Sequence, residues 1–107
     1  MYARQVSVEL NRDSREKFTQ VLESEILPLL RKQKGFKDEI SFVNPKGNDA
    51  FAISFWEDEE SAKAYSHGPY TEVTKFLSKL VQGSPRVRTF EVANSTFHNI
   101  AAKAKAA

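Results

Sequence analysis

The sequence predicts a small α+β domain of the ferredoxin-like βαββαβ kind, a four-stranded antiparallel sheet with its helices on one face, and three observations converge on it. Four segments alternate as strands do, two longer segments carry apolar residues at intervals of three and four, and the order is strand, helix, strand, strand, helix, strand. At 107 residues the chain has room for one core, well below the roughly 250 to 300 residues at which chains divide into domains. The domain is assigned to residues 1–98, and residues 99–107 form an Ala/Lys-rich tail, helix-prone but without an apolar stripe.

The first strand runs from Tyr2 to Leu10, with Val6, Val8 and Leu10 on one face and Gln5, Ser7 and Glu9 on the other. Asp13 with Glu16 has the spacing of a capping box, so a helix is expected from there to Gly35, its stripe made by Phe18, Val21, Leu22, Ile26, Leu29 and Leu30. Pro28 lies inside that stripe and removes one helical hydrogen bond, which predicts a kink near Glu25 or a break before the proline. Glu39–Val43 and Ala50–Trp56 read as a hairpin around the turn residues Asn44–Asp49. Asp58 is an N-cap for a helix over 59–66, which His67-Gly68-Pro69 interrupts and Tyr70–Gln82 resumes. Arg86–Ala93 alternates again and gives the fourth strand.

Composition narrows the function classes. Sixteen basic and fourteen acidic residues leave a net charge of +2, too small and too evenly spread for a nucleic-acid or membrane surface. Cysteine is absent, which removes disulfides, thiolate nucleophiles and thiolate metal sites, and fits a cytoplasmic protein. The N-terminus lacks the apolar stretch of a signal peptide, and no run reaches the eighteen or so apolar residues of a membrane span. Phosphate-binding glycine loops and a Gly-x-Ser-x-Gly elbow are missing, against nucleotide enzymes and serine hydrolases. In the segment Ala50–Trp56, Phe51, Ile53 and Phe55 alternate with Ala50, Ala52, Ser54 and Trp56, so both sheet faces are apolar. Helices cover one face; pairing with the sheet of a second copy covers the other, and a homodimer is expected.

Two stretches carry a family resemblance. Ile26-Leu27-Pro28-Leu29-Leu30-Arg31-Lys32-Gln33-Lys34-Gly35-Phe36 is similar to the first-helix ending of the antibiotic biosynthesis monooxygenase-like family of dimeric α/β-barrel proteins, and Ser54-Phe55-Trp56-Glu57-Asp58-Glu59-Glu60-Ser61-Ala62 to its third-strand ending. The resemblance extends over roughly residues 2 to 97. It implies a dimeric α/β barrel and a cofactor-independent monooxygenase-like protein that binds a small aromatic or quinol-like molecule in a cleft between sheet and helices. An alternative reading stays open, a non-catalytic ligand-binding or stress-related dimer. Haem-degrading members carry a Trp and then an iron-binding His in the second helix; aligned on Trp56, those positions hold Tyr65 and Lys75 here, and a protonated lysine is a poor iron ligand.

Within that frame His67 is the candidate catalytic base, because it sits at a helix break that can open toward a pocket and imidazole ordinarily titrates near 6.5. The competing reading is a histidine that ends a helix, where the dipole favours a cation. Trp56, Tyr65 and Tyr70 are substrate-binding candidates as aromatic walls with polar tips, although plain packing is the better account of Trp56. Asn44, Arg4 and Arg88 are the polar groups that strands can direct inward; an inward arginine would hold an enolate or carboxylate, and a surface charge at a strand end is the preferred account. Asn44 and Arg88 complete the substrate-binding set. His98 reads as a local cap or dimer contact. No His-x-His or His-x-x-x-His spacing occurs, so no metal site and no cofactor are expected.

Overall fold

The computed structural model describes residues 1–98, so the predicted helix-prone tail over 99–107 lies outside the described residues. The elements are β1 (Tyr2–Leu10), α1 (Arg15–Val21), a π-helical turn (Leu22–Ile26), α2 (Leu27–Arg31), β2 (Phe36–Val43), β3 (Asp49–Trp56), α3 (Glu59–His67), α4 (Tyr70–Ser78) and β4 (Val81–Glu91). The four strands form one antiparallel sheet in the order β2-β3-β1-β4, the ferredoxin-like α+β arrangement predicted from the sequence.

Residues directly opposite one another in a sheet share a face, and the register therefore assigns both faces. Val6 lies opposite Ala52, Val8 opposite Ala50 and Tyr2 opposite Trp56, and this face carries the helices. The helices close on it with Phe18, Leu22, Ile26 and Leu30 from the first helical run and Val73 and Leu77 from α4, all buried. Trp56 is fully buried at the end of β3, where its ring stacks on Tyr65 with centroids 4.9 Å apart and meets Phe36 edge-on at 5.6 Å. Its indole N–H donates to Ser54 Oγ at 2.9 Å, so the one polar atom of the ring is satisfied inside the core.

Local chemistry explains where the elements depart from the sequence reading. The capping box at Asp13 and Glu16 does not form: Asp13 takes a left-handed turn conformation at φ 62°, and Ser14 occupies the cap position with no side-chain hydrogen bond. The irregularity expected around Glu25 is the π-helical turn. There the Leu27 N–H reaches back five residues to the Leu22 carbonyl, and α2 restarts with Pro28 in its first turn, where a missing N–H costs nothing. Asp58 caps α3 by accepting from the Ser61 N–H at 2.8 Å, and that bond holds its carboxyl below its usual range. The helix expected to continue to Gln82 stops at Ser78, because Val81 pairs opposite Leu10 and opens β4 five residues before the predicted Arg86. An irregularity in pairing between Ser7 and Glu9, with Gly83 at φ 67°, absorbs the change of register.

Gly35 joins α2 to β2 at φ 82°, and its carbonyl accepts from Glu57 N at 2.7 Å. A Cβ there would strike the Ser61 hydroxyl and lie 2.5 Å from the Ser61 Cβ. Gly35→Ala is therefore expected to destabilise the fold by about 2 kcal/mol or more, read as a lower urea midpoint at unchanged slope. Trp56→Ala should cost roughly 3 to 5 kcal/mol in the same measurement, the loss expected of a large core aromatic.

Candidate functional site

A narrow cleft opens between the helix-bearing sheet face and the helices. It exists because the sheet floor is built from small side chains. Ala52 and Ser54 of β3 lie beneath it, while Phe18, Leu22, Ile26 and Leu30 wall one side and Tyr65, Tyr70, Val73 and Leu77 the other. Large apolar helix residues above a floor of Ala and Ser leave the volume unfilled.

One row of the sheet breaks the apolar lining. Glu39 of β2 stands opposite Ser54 of β3, Ser54 opposite Arg4 of β1, and Arg4 opposite Thr89 of β4, so four polar residues cross the helix-bearing face at one level. Ser54 is committed to structure, since it accepts from Trp56 and donates to the Arg4 carbonyl at 3.4 Å. Glu39 and Arg4 both line the cleft.

Arg4 is only 3% exposed. Its Nε donates to Ser66 Oγ at 2.7 Å, and its guanidinium carbon lies 3.9 Å from the centre of the Tyr70 ring and 5.2 Å from that of Tyr65. None of the ion pairs among the described residues involves it. Its terminal nitrogens have no hydrogen-bond acceptor among the described residues, yet no fully buried polar side-chain atom there is without a partner. Those nitrogens therefore keep some accessible surface, and Arg4 is one of the residues that line the cleft. Removing a guanidinium from water costs several kcal/mol, and two aromatic faces with one hydroxyl return only part of that, about 2 kcal/mol per desolvated cation–π contact. The cleft therefore holds a guanidinium that no carboxylate among the described residues contacts.

Two further groups are perturbed. Burial raises the Tyr65 phenol far above its ordinary value; Arg4 opposes this and Tyr70 adds to it, so Tyr65 remains a neutral O–H donor. Burial also raises the Glu39 carboxyl, against a smaller opposing effect from the Ser41 hydroxyl that donates to it.

The sequence candidates separate accordingly. Tyr65 and Tyr70 line the cleft. Trp56 lies behind Tyr65 in the core and is not among the lining residues. His67 is exposed at the last turn of α3, where the helix ends, and the break at Gly68-Pro69 does not bring it to the cleft wall. Asn44 is exposed and bound into the hairpin turn, donating to Asp49 Oδ1 at 2.8 Å and accepting from Lys46 N at 2.9 Å. Arg88 stands opposite Gln5, which places it on the face away from the helices, its guanidinium 5.1 Å from the Phe90 ring. His98 lies 2.8 Å from the Asp38 carboxylate and packs on Phe55 of that same outer face. Arg4, set aside as a surface charge in the sequence reading, is the buried one. Its signal was parity, since it shares the even positions of β1 with Val6, Val8 and Leu10.

Among the described residues no group of three or more His, Asp or Glu side chains is arranged to hold a metal ion, and no helix is long and apolar enough to cross a membrane. No curated protein matches the chain significantly. Solved structures do. A monooxygenase from the gene ActVA-Orf6 of Streptomyces coelicolor, in complex with Nanaomycin D, is 16% identical with a TM-score of 0.75, covering 88% of each chain. SnoaB, a cofactor-independent oxygenase from Streptomyces nogalater, is 14% identical with a TM-score of 0.71, covering 89% of this chain and 95% of its own. MhuD, a heme-degrader from Mycobacterium tuberculosis with two hemes in its active site, is 16% identical with a TM-score of 0.72, covering 90% and 99%. At these identities the likeness speaks to the fold. The family profile described as antibiotic biosynthesis monooxygenase matches residues 1–75, and with the fold and cleft above it establishes that the chain belongs to the antibiotic biosynthesis monooxygenase family.

Proposed function

We propose that this protein is a cofactor-independent monooxygenase-like dimer that takes a small aromatic or quinol-like molecule into the cleft, with an oxygen of the ligand against Arg4. The observation that carries this reading is the buried Arg4 guanidinium, stacked on Tyr70, in the lining of an apolar, tyrosine-walled cleft. Such a space selects a flat ring, and such a charge selects an oxygen that is anionic or becomes so. Ionisation there makes the ring electron-rich, and the ring itself then reduces dioxygen. For an anthrone the balance is a ring CH₂ plus O₂ giving a ring C=O plus water: one oxygen atom enters the ring and the other leaves with both hydrogens. The apolar walls support this by keeping bulk water from the carbanion.

The dimer part of the reading is supported by the outer sheet face. Ile40, Phe42 and Phe90 are between 37% and 44% exposed, and Phe42 stacks on Phe51 at 4.7 Å on a face that carries no helix. An apolar surface of this kind is costly to leave in water.

Purified protein supplied with anthrones and hydroquinones under oxygen is expected to consume dioxygen and release oxygenated product. Arg4→Met should weaken ligand affinity about tenfold to a hundredfold, the range for a lost hydrogen bond to a charged group, with the far-ultraviolet circular dichroism unchanged. Binding without oxygen consumption would favour the non-catalytic alternative, and absence of both would reject the reading. Sedimentation should give the mass of two chains for the native protein and of one chain for Phe42→Asp.

A further inference from the structure

Glu39 and Arg4 carry opposite charges in one polar row, line one cleft, and are not paired. Two strand spacings separate them, roughly 10 Å between Cα atoms, with only Ser54 between, and its hydroxyl is already engaged. Arg4 is held on its own side of the cleft by Ser66 and the Tyr70 ring, so the two charged ends stand apart. A ligand lying between them would be held by a cation at one end and would meet a carboxylate at the other.

We infer that Glu39 is the base of this cleft and Arg4 the holder of the oxyanion, so that the preferred substrate is a carbon acid whose acidic C–H and carbonyl oxygen stand at opposite ends of one conjugated ring. This rests on the reading of the cleft as the reaction site. In the step itself the C–H bond breaks, its electron pair passes through the ring onto the carbonyl oxygen to give an enolate against the Arg4 terminal nitrogens, and the proton goes to a Glu39 carboxylate oxygen. No oxidant enters this half of the reaction. Ser41 donates to Glu39 Oε2 and thereby orients the carboxylate, leaving its other oxygen for the proton. Burial makes Glu39 a stronger base than a carboxylate in water. The other titratable groups at the cleft fit less well, because Tyr65 stays protonated and His67 lies outside the lining.

The test separates proton abstraction from oxygenation. Full-length protein is mixed anaerobically with 1,8-dihydroxyanthrone in D₂O, and loss of the ring-methylene proton signal is followed by NMR alongside ligand affinity. Wild-type protein should accelerate exchange above the buffer rate. Glu39→Gln should lower that acceleration about 100-fold with affinity changed less than threefold, and Glu39→Asp should retain part of it. Exchange by Glu39→Gln at the wild-type rate overturns the assignment, as does exchange lost in His67→Ala but kept in Glu39→Gln. Oxygen consumption that survives in Glu39→Gln removes only this inference and leaves the monooxygenase reading standing. Glu39-dependent exchange with no oxygen consumption in air does the reverse. An anthrone that fails to bind removes both.

Discussion

The stack of Trp56, Tyr65, the Arg4 guanidinium and Tyr70 joins four elements in one tier. Arg4 comes from β1, Trp56 from β3, Tyr65 from α3 and Tyr70 from α4, and the Arg4 Nε bond to Ser66 fastens the same tier from the side. A cation buried without a carboxylate constrains everything around it, because it tolerates only aromatic faces, oriented dipoles or an incoming anion. The break that Gly68-Pro69 makes between α3 and α4 accommodates this arrangement. A single straight helix holds residues five apart on different sides, whereas a reset at Gly68-Pro69 lets Tyr65 and Tyr70 face the same guanidinium.

The cleft owes its existence to the division of labour within β3. Its outward residues Phe51, Ile53 and Phe55 are large, and its inward residues Ala50, Ala52 and Ser54 are small until Trp56 closes the end. One strand thus supplies an apolar outer surface and a low floor at once, and the alternation that makes it a strand also keeps these tasks apart. Filling the floor with larger side chains would improve packing and abolish the space.

Much of the architecture was legible because strand alternation and helix periodicity are direct imprints of burial. The sheet, the Asp58 cap and the disturbance before Pro28 all follow from local rules, whereas the first helical run, expected to reach Gly35, ends at Arg31 and leaves Gly35 to the turn into β2. Local rules failed where tertiary pairing decided the outcome. Val81 continues a helical apolar stripe in sequence, yet its pairing with Leu10 makes it a strand residue. Asp13 has the spacing of a capping residue, yet the tight turn after β1 sends it into left-handed backbone. The site was harder still, because histidine and tryptophan attract notice by type while Arg4 is marked only by position. Its phase with Val6 and Val8 shows which way it points; that it stays buried depends on rings sixty residues away. Glu39 is set likewise, through its register with Ser54.

The π-helical turn over Leu22–Ile26 has a consequence for how such a protein diversifies. It amounts to one residue inserted in an otherwise α-helical run, and both of its buried members, Leu22 and Ile26, stand on the cleft wall. Deleting a single residue there would restore regular winding and rotate the following turn by about 100° relative to the preceding one, exchanging wall side chains without touching the sheet. Ligand selectivity can therefore drift through a one-codon change in length at this point, while the floor and its polar row stay inherited unchanged.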